Sequence, residues 1–137
     1  MTRECAVFDI ASIANTFPAS SETMLIDTRL TDEPEASSRM FRVYTPLPPH
    51  YHATCDEYLL VVKGRAMFFM GGMAPFEVGP GKLLFFKKGI VHGATAILEG
   101  PLVFLSVDTP RRDPKDIIFV NPADGTPESF IQTKPLY

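Results

Sequence analysis

Residues 49–64 read PHYHATCDEYLLVVKG. The stretch carries two histidines separated by one residue, His50 and His52, and then a carboxylate, Glu57. Alternate side chains of a β-strand point to the same side, so a His-x-His pair sends both rings into one space. The run after Glu57, YLLVVK, is apolar and rich in β-branched residues and closes at Gly64. It reads as a second strand with Glu57 at its start, after a short turn. Two neutral imidazoles and a carboxylate on neighbouring strands make a mixed nitrogen and oxygen donor set suited to a transition metal. Downstream, GKLLFFKKGIVHG supplies His92, and with it all three histidines of the chain enter one proposed site.

Bulk properties narrow the classes. A chain of 137 residues fits one domain with a sizeable core. A net charge of −3, with no basic run, argues against nucleic acid as a partner, because phosphates need clustered positive charge. No apolar stretch approaches the 18 residues of a membrane span, and MTRECAVFDI lacks the apolar segment of a signal peptide. Two cysteines, Cys5 and Cys55, make no disulfide framework, so the expected setting is the cytoplasm with reduced thiols. Neither a GxGxxG nor a P-loop is present, which leaves nucleotide binding without support.

Outward from the histidines, short strands alternate with turn signals. Residues 6–10, 23–30, 38–44, 76–78, 83–86 and 117–120 read as strands, and 10–17 as one or two helical turns capped by Asp9. Gly64 reads as a tight hairpin between strands at 58–63 and 65–70, and Glu99-Gly100 as a turn between strands at 91–98 and 101–107. The tail from Asn121 is polar and proline-bearing and reads as peripheral. Such spacing predicts an all-β sandwich or barrel. The expected organisation is a single domain over 1–137, with an N-terminal arm at 1–37, a barrel core at 38–120 and a C-terminal tail at 121–137.

The two histidine-bearing segments resemble the two motifs of the cupin superfamily. The first motif has a glycine, five residues, His-x-His, three or four residues, Glu, six residues and Gly; His50, His52, Glu57 and Gly64 match it, and Tyr44 replaces the opening glycine. The second has a glycine, five residues, Pro-x-Gly, two residues, His, three residues and Asn; Gly81, Gly89 and His92 match it, with Lys87 and Ala96 in place of the proline and asparagine. The closing segment, 103–120, is similar to that of small single-domain bacterial cupins. The resemblance implies a small jelly-roll β-barrel, a double-stranded β-helix, with His50, His52, Glu57 and His92 as ligands of a divalent transition metal: iron, manganese, zinc, nickel or copper. Four such ligands leave about two positions open on an octahedral ion. Glu57 also stands as the candidate catalytic carboxylate. The resemblance further implies a homodimer that exchanges N-terminal strands.

Arg42, Tyr44, Phe41 and Phe104 are the candidate contacts for a small-molecule substrate, with Arg42 and Tyr44 on one strand face. Tyr58 is expected opposite to Glu57 by parity, Cys55 as a turn residue, and the Phe68-Phe69 and Phe85-Phe86 pairs as core or dimer interface. Three functional readings follow. The first is a metal-dependent enzyme on a small organic substrate, with dioxygenase chemistry ahead of isomerase or lyase chemistry. The second is a non-catalytic cupin that binds a sugar or metabolite, and the third a purely structural dimer.

Overall fold

The structure is a computed structural model that describes residues 4–136. Its elements in chain order are α1 (Ile10–Ala14), β1 (Leu25–Asp32), β2 (Ser37–Val43), β3 (Leu47–Tyr51), β4 (Asp56–Met70), β5 (Phe76–Val78), β6 (Leu83–Phe86), β7 (His92–Thr109), β8 (Ile118–Phe119), α2 (Pro127–Phe130) and β9 (Ile131–Thr133). Along the main path the strands lie in the order β5-β4-β7-β2-β1-β9, with β6 on β4 and β3 bridging β7 and β8. Each apolar run buries alternate residues, and the inward faces meet in one core that includes Phe41, Leu59, Val61, Phe68, Phe86 and Phe104. The result is a jelly-roll barrel.

Its spine is the antiparallel pair β4 and β7, which stays in contact from Asp56↔Thr109 to Met70↔His92. Here the structure corrects two turns expected from the sequence. Gly64 is not a hairpin but a bulge within one 15-residue strand, and Glu99-Gly100 likewise falls inside an 18-residue strand. The bulge shifts the side-chain alternation by one: Glu57, Leu59 and Val61 face inward before it, and Ala66 and Phe68 after it. A glycine together with a break in parity imitates a turn when only the sequence is read. Gly64 has φ +85° and lies against the Glu99 carbonyl, where a Cβ would sit 2.6 Å from the oxygen. Both features require glycine.

Outside the barrel, Ile13, Ala14 and Phe17 pack on Ile26, Leu30, Met40 and Val103 to form a second apolar cluster. Asp9 caps α1 as expected, accepting from Ser12 N–H, whereas the strand expected over 6–10 does not form. The N-terminal segment thus folds onto its own barrel, and β1 is a full member of the sheet, paired with β2 and β9. The tail is not peripheral. Parallel pairing of β9 with β1 holds it, and Phe130, 2% exposed, is part of the core.

Candidate metal centre

Two segments deliver the histidines, and a third delivers Glu57. His50 lies on β3 opposite His92 at the start of β7, and His52 follows one residue after the end of β3. Glu57 opens β4, paired with Phe86 on one side and Asp108 on the other. All four side chains are buried. The ring centroids of the His50–His92 and His52–His92 pairs are 4.3 and 4.9 Å apart, and one ligand nitrogen from each ring lies within 4.8 Å of the others.

The orientation of each ring is fixed from behind. The Nδ1 atoms lie 2.8 Å from Pro48 O (His50), 2.7 Å from Asp116 O (His52) and 3.0 Å from Ile90 O (His92). A carbonyl oxygen can only accept, so each Nδ1 carries the proton and each Nε2 presents a bare lone pair. Asp116 also fastens the adjoining turn, accepting from the N–H groups of Ala53 and Thr54 and from the Thr54 hydroxyl. Burial keeps the rings neutral. It pulls His92 down to about 3, with His52 adding to the effect, and lowers His50 and His52 as well, with the neighbouring rings assisting at His50 and Arg112 at His52.

Glu57 is held ionised. Burial alone would push its carboxyl up, but the charges of Arg112 and Arg39 outweigh burial and hold it well below the usual range. Its Oε2 accepts from Arg39 at 2.8 Å and from the Ser106 hydroxyl at 2.7 Å. Arg39 in turn donates to Asp108 Oδ2 at 3.0 Å and lies 3.7 Å from Asp27. Burial opposes the Arg39 charge, and the carboxylates of Asp108, Glu57 and Asp27 more than restore it.

The donor set fits a cation. Glu57 Oε1 stands 3.2 Å from His52 Nε2 and 4.0 Å from His92 Nε2, acceptor facing acceptor with no proton to share. Such a contact calls for a positive charge between the partners. The nearest one is a guanidinium: Arg112 NH1 donates to His52 Nε2 at 2.7 Å and lies 3.6 Å from Glu57 Oε1. The remaining space is about 20 Å³, enough for one water-sized particle. Leu25, Leu47, Leu59, Phe41, Phe68, Phe104 and Phe130 form its apolar wall.

Of the residues expected to contact a substrate, Phe41 and Phe104 line this cavity, stacked with centroids 5.2 Å apart. Arg42 and Tyr44 do not. They face the outer side of β2 and both donate to Pro18 O, at 3.1 and 2.7 Å, because their parity is opposite to that of Phe41. Arg39, two residues before Phe41, is the arginine that parity turns inward, and alternation along β2 could have singled it out. Ser106 and Asp108 share the parity of Phe104 and were legible in the same way. Arg112, Asp116 and Phe130 gave no signal, since they come from loop and tail segments whose position depends on the whole fold. Cys55, expected in a turn, is buried with Sγ 4.0 Å from Asp108, and Tyr58 faces outward, opposite to Glu57.

A jelly-roll barrel with three histidines and a glutamate converging inside it, two of those histidines separated by one residue, is the architecture of a cupin. Residues 42–108 match the family described as Cupin domain, and the chain belongs to the cupin superfamily. Solved structures show the same fold. KdgF from a Halomonas species is 22% identical with a TM-score of 0.59, over 66% of this chain and 82% of that one. A Klebsiella pneumoniae protein with a double-stranded β-helix domain is 21% identical with a TM-score of 0.62, over 80% and 93%. The DMSP lyase DddQ from Ruegeria pomeroyi is 22% identical with a TM-score of 0.56, over 66% of this chain and 45% of that one. No curated protein matches the sequence. Similarity at this level concerns the fold, and the reaction has to be argued from the site.

Proposed function

We propose that this cupin is a metal-dependent enzyme acting on a small organic substrate, with dioxygenase-type oxidation as the favoured reaction. The carrying observation is the convergence of three carbonyl-anchored imidazoles with Glu57, all shielded from water. His50, His52, His92 and Glu57 would hold the ion, and a bound iron supplies the one-electron and dioxygen chemistry that side chains lack. The chain's own groups favour redox over proton transfer. Among the described residues of the cavity wall, Glu57 is the one group besides the histidines able to take up a proton, and Arg39, Ser106 and Arg112 stabilise its charged form. A carboxylate so stabilised is a weak base for isomerase or lyase chemistry. The phenylalanines supply a dry wall against which an apolar or aromatic substrate would pack.

The alternative is a cupin that binds a sugar or metabolite without turnover. Loading the protein anaerobically with Fe(II), adding dioxygen with a panel of catechols and keto acids, and following oxygen uptake separates the two. Uptake that needs both iron and one substrate class supports the enzyme. Ligand-dependent thermal stabilisation of both the iron and zinc forms, with no uptake above that of free iron, selects the binding protein.

We also propose a homodimer. The outer face of β4 and β6 exposes Tyr58, Leu83 and Phe85, with Tyr58 and Phe85 ring centroids 4.8 Å apart. An apolar cluster of this kind on a sheet face marks an interaction surface. Exchange of N-terminal strands is not needed, because that segment already packs on its own barrel. A monomer mass by light scattering at micromolar concentration would remove the proposal.

A further inference from the structure

Arg112 reaches the centre from the loop that follows β7. The backbone on both sides of its side chain is tied down: its N–H donates to Ser37 Oγ at 3.0 Å, and its carbonyl accepts from Arg29 at 3.0 Å. The guanidinium is therefore a fixture of the cavity and turns within it rather than leaving. It is 1% exposed, yet its Nε–H has no acceptor among the described residues. Among the described residues the hydrogen bond its guanidinium makes is to His52 Nε2, the same lone pair that a metal ion would use. Once a cation takes that lone pair, the NH1 group loses its acceptor too. A buried guanidinium with two unpaired edges costs several kcal/mol unless another acceptor is supplied.

Charge points the same way. The fully buried charged groups around the centre are Arg39, Arg112, Asp27, Glu57 and Asp108, with a formal sum of −1. A divalent ion changes the sum to +1. A surplus positive charge in an apolar cavity is relieved by one monoanion. Arg112, planar and forked, presents the donor geometry that suits a carboxylate or enolate oxygen pair.

We infer that Arg112 is the recognition residue for a small monoanionic oxygen ligand, of the carboxylate or enolate class, held beside the cation. The inference rests on the metal-site reading above and adds the class of ligand and the residue that selects it. The competing arrangement is internal: Arg112 could turn onto Asp108 Oδ1, 3.9 Å away, and need no ligand.

The test uses the full chain loaded with Co(II), whose visible spectrum reports ligand binding without any turnover. Formate is titrated against formamide, its neutral counterpart of equal size. The expected result is a spectral change saturating at least tenfold lower in formate than in formamide. In R112M that preference disappears while cobalt is still bound, and in R112K it survives in part. Equal responses to formate and formamide in the unsubstituted protein overturn the inference, and so does an R112M or R112K protein that keeps the full preference. Should R112M fail to fold, the R112K comparison and the unsubstituted protein decide. Failure to take up cobalt at all sinks the metal-site reading, and the inference with it; cobalt uptake without anion preference sinks the inference alone.

Discussion

Arg39 and Arg42 lie three residues apart on β2 and face opposite ways, and the difference should be measurable. In R39M the protein loses the guanidinium that serves Glu57 at 2.8 Å and Asp108 at 3.0 Å, with Asp27 at 3.7 Å. Glu57 keeps Ser106, and Asp27 keeps Thr133 and, at 3.8 Å, Arg29. Asp108 Oδ2 keeps the Ser106 hydroxyl at 3.5 Å alone. Removing one member of a buried ion pair costs about 3–5 kcal/mol, because the partner stays buried and unpaired. Three weakened carboxylates, Asp108 being left with Ser106 and with Arg112 at 3.9 Å, place R39M at about 3 kcal/mol, a large part of the roughly 5–15 kcal/mol typical of a domain. R42M removes bonds to Pro18 O and Ala19 O at the surface, and should cost at most about 1 kcal/mol. With no tryptophan in the chain, urea unfolding followed by far-UV circular dichroism is the suitable assay. Equal losses for the two variants, or a loss below 1 kcal/mol in R39M, would refute the account of a buried network.

The metal-free protein should lose stability in mild acid. The folded histidines have pKa values below the ordinary 6.5, so below that pH the unfolded chain binds protons that the folded chain refuses; His92, at about 3, accounts for about 2 kcal/mol between pH 7.5 and pH 5. Glu57, depressed in the folded state, adds a further loss only below its ordinary 4.5. Denaturation midpoints that coincide at pH 7.5 and pH 5 would contradict this. F130A removes a core ring that stands 4.7 Å from His50 and walls the cavity; it should cost about 3–5 kcal/mol and admit ligands that the native cavity excludes, as read by urea melts and by cobalt spectra. G64A puts a Cβ against the Glu99 carbonyl at a positive φ and should cost about 2–4 kcal/mol, while G72A, with open space around it, should cost under about 1 kcal/mol.

The sequence alone determined the β-architecture and, by parity and motif spacing, named the four converging donors, because local alternation and spacing survive in one dimension. His50 and His52 share a face through their own spacing, Glu57 begins the next apolar run, and Phe41 and Phe104 are inward by parity. Parity also held the answer for Arg39, which only the count along β2 separates from Arg42. What the tertiary structure alone decided is what surrounds those donors. Gly64 is a bulge and not a turn because a distant strand presses the Glu99 carbonyl against it. Asp116 aims His52 from 64 positions away, Arg112 enters the cavity from a loop, and Phe130 returns from the tail to close it. Contacts between residues so far apart in the chain leave no periodic trace, since they are fixed by strand pairing and core packing across the whole barrel and not by any neighbouring sequence.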